Sequence, residues 1–260
     1  MSLIALVGDY TTTTTLALAA SWPTDSLVVV EADRSGGSLA AWLDTPVTPS
    51  LATIVASGPA STPMIESMIH HSVSGVRFIA APIRARAAAT AIDEATSSVF
   101  PSIASMPATT VIADTGHRGP NARGPSILSL ASQVVVCHRQ EPASAAAATV
   151  RIDRLTELIE SLTHLDLPIV LTTIGTEPFD PDEVASFVKD AVPHADLIAQ
   201  SLPHDPLAAA VLAGRTGVSA KRLQRLPLMR AAADLATLLQ YGPPRATQAD
   251  PLLAQRSGTQ

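Results

Sequence analysis

Ser2-Leu3-Ile4-Ala5-Leu6-Val7-Gly8-Asp9-Tyr10-Thr11-Thr12-Thr13-Thr14-Thr15-Leu16-Ala17-Leu18-Ala19-Ala20 opens as a short apolar run, turns at Gly8-Asp9-Tyr10, and resumes after the threonines in leucines and alanines. The pattern reads as buried strand, loop and helix, with the threonines assigned to the loop. Where such a unit cradles phosphate, glycines let the backbone amides curl round the anion, a lysine reaches the terminal phosphates and a Ser or Thr hydroxyl binds magnesium. The hydroxyls are here. The glycine-rich corners are not, and β-branched threonine meets a steric penalty at the positive φ that glycine adopts freely. Both lysines, Lys189 and Lys221, lie far downstream. The stretch therefore predicts a nucleotide-binding scaffold whose hydrolytic loop has decayed or been rebuilt.

At 260 residues the chain is long enough for one large α/β domain. Residues 1–242 are expected to form it, with 243–260 a polar, mobile tail. Hydrophobic residues make up 47% but aromatics only 3%, so the core must be built from Ala, Val, Leu and Ile. That composition suits helices laid on a parallel sheet. A net charge of −6 disfavours a dedicated nucleic-acid surface, which needs clustered Lys and Arg. The single cysteine, Cys137, excludes a disulfide framework within the chain and is expected to be a buried structural thiol. No basic leader region precedes the first strand and no apolar run approaches ~20 residues, so a cytoplasmic protein without a transmembrane segment is expected.

Further strands are predicted at Leu27–Val30, Val76–Ala80, Thr110–Asp114, Ser132–Cys137, Leu167–Leu171 and around Leu197–Ala199, alternating with helices. The helices include Leu51–Ala56, Met64–His70, Ala85–Ala95, a long one from Pro142 to about Leu162, one from Asp180 to Ala191, Leu207–Leu212 and Leu226–Leu239. Strand alternating with helix means a single doubly wound, mainly parallel sheet with helices on both faces. His70 and His71 are adjacent, so they cannot face one metal and are expected in a solvated loop.

Carboxylates close two of these strands. Glu31-Ala32-Asp33-Arg34-Ser35-Gly36-Gly37 follows the second strand, and Asp114-Thr115-Gly116-His117 the strand at 110–114. Acids at the carboxyl ends of strands stand where open α/β sheets bind ligands. An acidic strand end followed by an ordinary Gly turn is the competing reading.

Together these stretches resemble the ParA/MinD group of deviant Walker-A ATPases, in the SIMIBI class of P-loop proteins. Thr14-Thr15-Leu16-Ala17-Leu18-Ala19 is similar to the end of the family's first motif, Lys-Thr-Thr and a small-residue helix. Glu31 to Gly37 is similar to Asp-x-Asp-Pro-x-Gly, and Asp114-Thr115-Gly116 to the second switch. The resemblance implies a P-loop NTPase fold. It implies a water-orienting role for Asp33, a switch role for Asp114, nucleotide contacts from Gly8, Thr12, Thr13, Thr14, Thr15, Glu31, Gly36 and Gly116, and magnesium at Thr14, Asp33 and Asp114. The family's active-site and dimer-crossing lysines are absent in any register, so no nucleotide is expected to bind tightly. Removing one preorganised contact to developing charge costs catalysis about 3 kcal/mol.

The expectation is a pseudo-ATPase acting as a positioning or adaptor protein for a pilus, secretion, conjugation, septum or DNA-segregation machine. As a homodimer with a protein partner, it would be recruited to a pole, septum or membrane. One alternative is an active ATPase that binds ATP and magnesium with help from an arginine such as Arg34 or from a side chain of a partner. Another is a nucleoid- or membrane-associated protein using Lys221, Arg222, Arg225 and Arg230.

Overall fold

The structure, a computed structural model, describes residues 2–24, 26–59, 61–106, 109–117, 127–141 and 144–242. β1 (Ser2–Gly8) leads into α1 (Thr11–Ser21), β2 (Leu27–Glu31), α2 (Leu39–Trp42), α3 (Leu51–Ala56) and α4 (Thr62–Ser67). β3 (His70–His71), β4 (Arg77–Ile79), α5 (Ala85–Ser97), α6 (Val99–Ala104), β5 (Thr110–Asp114) and β6 (Gln133–Arg139) follow. The chain continues through α7 (Ala145–Leu162), β7 (Ile169–Ile174), α8 (Pro181–Ala191), β8 (Leu197–Leu202), α9 (Pro206–Leu212), α10 (Ala220–Leu223) and α11 (Pro227–Tyr241).

The strands form one sheet in the order β3-β4-β2-β5-β1-β6-β7-β8, parallel throughout except for β3, which runs antiparallel to β4. Side chains alternate between faces along each strand. Leu3, Ala5, Val7, Val134 and Val136 point to one face, covered by α3 to α8, while Ile4, Leu6, Val135 and Cys137 point to the other, covered by α1, α2, α9 and α11. The central strands are buried on both sides, which is why they read as continuous Val, Ile and Leu runs. The predicted stripe of Ile152, Leu155, Ile159 and Leu162 packs into the core. Asp180 caps α8 with a capping box to Glu183.

Several expectations are corrected. The threonines do not form a loop: Thr11 to Thr15 are the first turns of α1, and only Asp9 and Tyr10 join it to β1. α4 stops at Ser67, and His70 and His71 form the edge strand, with His70 stacked on Phe78 and its Nε2 bonded to the Pro49 carbonyl at 2.6 Å. α6 was not anticipated, since Pro101 in Val99-Phe100-Pro101 discourages a helical reading. It sits in the first turn, where its missing N–H costs nothing. Pro142, proposed to start the long helix, and the tail 243–260 lie outside the described residues.

Candidate functional site

The carboxyl ends of β1, β2 and β5 bring most of the expected site residues together. β1 ends at Gly8, whose φ of +114 turns the chain toward α1. A Cβ there would collide with the Cys137 carbonyl, so the position is closed to other residues. The Gly8 amide donates to the Gly116 carbonyl at 3.1 Å and the Asp9 amide to the Cys137 carbonyl at 2.8 Å. Neither is left for an anion. Tyr10 takes a left-handed conformation, and the Thr14 amide then donates to the Tyr10 carbonyl at 3.1 Å, closing the first turn of α1.

Counting a phosphate-loop pattern of G-x-x-x-x-G-K-[ST] from Gly8 would set Thr13, Thr14 and Thr15 at its glycine, lysine and hydroxyl positions. All three are buried. The Thr14 hydroxyl donates to the Tyr10 carbonyl at 3.0 Å, and the Thr15 hydroxyl is buried without a partner. The length of chain that would wrap a phosphate is instead wound into helix.

The acids form a linked set. Asp114, 1% exposed, accepts from the Thr12 hydroxyl at 2.7 Å and from the Gly116 amide at 3.1 Å. Burial pushes its carboxyl above the usual range, against the bonds from Thr11, Thr12 and Gly116 that lower it. Glu31 is buried too, and its Oε1 accepts from the Ser38 and Leu39 amides at 2.6 and 2.8 Å while Oε2 accepts from Ala81 at 2.9 Å. Burial raises this carboxyl as well. Glu31 thereby ties the start of α2 to the end of β4.

Asp33 sits directly on Gly116, so closely that a Cβ at Gly116 would overlap its carboxyl group. Its Oδ1 accepts from the Ser35 amide at 2.8 Å and the Ser35 hydroxyl at 2.7 Å, a turn it makes with itself. Arg34, the arginine suggested for a catalytic role, is turned away and forks onto both carboxylate oxygens of Asp93 in α5. Gly36 faces the Ile83 carbonyl and not the acids.

The structure thus joins Gly8, Thr12, Glu31, Asp33, Asp114 and Gly116 and leaves Thr13, Thr14, Thr15 and Gly36 apart. Of the residues expected around magnesium, Asp114 accepts from Thr12, while the Thr14 hydroxyl donates to the Tyr10 carbonyl. Among the described residues no three or more of His, Cys, Asp and Glu come together as a metal-holding group. The amides of Gly8 and Asp9 are taken, no lysine stands in the turn, and the carboxylates of Asp9, Asp33 and Asp114 lie around it. Lys221, Arg222, Arg225 and Arg230 are all exposed, on α10, α11 and the turn between them, away from the acids.

Sequence reasoning passed over a neighbouring group. The Tyr10 ring has the Arg139 guanidinium over it at 5.5 Å and the His204 ring edge-on at 5.8 Å. On the α7 side of β1, Asp9 pairs with His117 Nδ1 at 3.2 Å beside His138 and Arg151. Only the left-handed turn at Tyr10, which sets both residues at the sheet's end, brings these together. Cys137 is buried as expected, and burial pushes its thiol up to about 12, so it stays protonated and inert.

No protein-family model and no curated protein matches the chain. Solved structures match its fold. A ParA family ATPase from Chlorobium tepidum superposes with a TM-score of 0.64 at 16% identity, over 90% of this chain and 97% of that one. The MinD cell division protein of Aquifex aeolicus gives 0.63 at 16% identity over 92% and 97%, and a complex of MinD with MinC from that organism also matches. Cobyrinic acid a,c-diamide synthase from Mycobacterium smegmatis gives 0.54 at 16% identity over 93% and 96%. The chain has the ParA/MinD P-loop NTPase fold, and the fold is shared by proteins of different activities.

Proposed function

We propose that this chain is a ParA/MinD-like protein that no longer runs a nucleotide cycle, a pseudo-ATPase that serves as a positioning or adaptor platform. The observation that supports this most is the two-residue connection from β1 to α1, with the threonine run wound into helix and the Gly8 and Asp9 amides bonded to neighbouring strands. Charge acts in the same direction. A polyphosphate brought to α1 would meet the carboxylates of Asp9, Asp33 and Asp114 without a lysine to offset them.

What remains is a rigid sheet end in which bonds internal to the protein hold the segments a nucleotide would order. Thr12 holds Asp114, Glu31 holds three amides, and Arg34 holds Asp93. A second copy of the chain and a protein partner are the contacts proposed for such a platform. The MinC:MinD complex, a match in fold, motivates the protein partner.

Titration calorimetry of the whole chain with ATP and magnesium tests the reading. No heat of tight binding is expected. A micromolar dissociation constant that Asp33→Ala abolishes would overturn it.

A second reading rests on charge placement. Arg215, Lys221, Arg222, Arg225 and Arg230 fall between Asp205 and Asp234 with no acidic residue among them, in a chain of net charge −6. Among the described residues none of these five is in an ion pair. A nucleoid-binding role would use this segment. Duplex DNA affinity should then fall steeply with salt, and Arg222→Ala with Arg225→Ala should lower the slope by about 2. A flat salt response removes the idea.

A further inference from the structure

The sheet's winding reverses between two neighbouring strands: α1 leaves β1 toward one face and α7 leaves β6 toward the other. The crevice outside the carboxyl ends of strands at such a point is where open α/β sheets take ligands. In this chain the α1 side of that crevice is filled by helix. The α7 side is open, with a cavity of about 270 Å³ between Asp9, His117 and His138 on the sheet side and Arg154, Leu155 and Leu158 of α7.

His138 is the residue the fold itself does not use. Alternation along β6 places it on the face of Val134 and Val136, which is otherwise apolar. It is 6% exposed, and within the described residues its imidazole makes no hydrogen bond. Burial is the main force on its titration and pushes its pKa down, with Asp9 acting against this and Arg151 with it. The neutral ring keeps one donor and one acceptor for whatever enters. The ring lines the cavity, where these atoms are within reach of a small ligand.

The remaining charges bear on what such a ligand could be. Arg151 is committed, since it donates to the Arg139 carbonyl at 3.3 Å and pairs with Glu141 at 2.9 Å. Asp9 has His117 Nδ1 at 3.2 Å. Arg154, one turn further along α7, is exposed and has no bond or ion pair within the described residues, and Leu155 and Leu158 supply an apolar wall beside it. Among the described residues the free set is one guanidinium, one imidazole and a hydrocarbon surface. Asp9 and Glu157 at the margin oppose ligands of higher negative charge.

We propose that this crevice binds a small organic acid of single charge, its carboxylate on Arg154 and His138 and its short apolar body against Leu155 and Leu158. The volume, at the low end of ligand pockets, suits a small molecule. The inference does not depend on whether the chain binds nucleotide.

The test is a titration of the full chain with sodium butyrate, followed by the imidazole NMR signals of His138, with inorganic phosphate and butylamine as comparison probes at constant ionic strength. Butyrate is expected to give a saturable shift, weakened about tenfold or more by Arg154→Ala, a surface change that leaves the fold intact. Butylamine should give none, and phosphate a weaker response. Absence of saturation with butyrate, an unchanged affinity in Arg154→Ala, or phosphate binding as tightly as butyrate would each overturn the proposal. Repeating the titration with ATP and magnesium separates the two readings. Should ATP bind while butyrate still saturates, only the pseudo-ATPase reading falls.

Discussion

Asp114 carries the cost of a carboxyl group taken out of water. Its carboxyl is fully buried and its folded pKa is raised above the ordinary aspartate value, chiefly by burial. A group whose folded pKa is raised takes up protons on folding. Its contribution is largest below the unfolded pKa and is lost as pH rises through the folded pKa. Asp114→Asn keeps an acceptor for the Gly116 amide and removes the charge, so at pH 7 the variant should melt higher by roughly a few degrees. The advantage should shrink as pH falls toward the ordinary carboxylate range. Thermal melts of both proteins at pH 7 and pH 5 check this, and a variant that melts lower at pH 7 contradicts it.

At the scale of the element, the β1 to α1 junction decides what the site can be. Gly8 has positive φ and lies against the Cys137 carbonyl, whereas Gly58 has positive φ and open space around it. Gly8→Ala should therefore cost about 2 kcal/mol or more and Gly58→Ala only about 1 kcal/mol, the strain without the collision. Urea midpoints of the two variants measure the difference. Equal midpoints would mean that the junction can yield.

This junction is also where the sequence was hardest to read. Threonine has modest helix propensity, and consecutive threonines after Gly-Asp-Tyr suggest a loop. Packing overrides propensity here, because Thr11, Thr13, Thr14 and Thr15 are buried between the sheet and its covering layer, and Thr14 returns its hydroxyl to the Tyr10 carbonyl. The strands were legible because Val28-Val29-Val30 and Val134-Val135-Val136 are buried on both faces and need no partner to be recognised. Glu31, Asp33 and Asp114 were legible as strand-end acids. The placing of His138 and Arg154 around one cavity was not, since it arises only when α7 folds back over β6.

For the whole molecule, the layered sheet sets an acidic edge beside β1, β2 and β5 and a basic segment on α10 and α11, so a −6 chain still presents two electrostatic characters. Among the described residues no helix is long and apolar enough to cross a membrane. Glu31, clasping the Ser38, Leu39 and Ala81 amides, has a wider result. A machine that burns fuel can eject a bound companion against that companion's affinity, because hydrolysis supplies the work. A clasp made from a protein's own carboxylate is never spent. On the platform reading, occupancy then obeys mass action alone, rising and falling with the abundance of the two proteins and never on a timer.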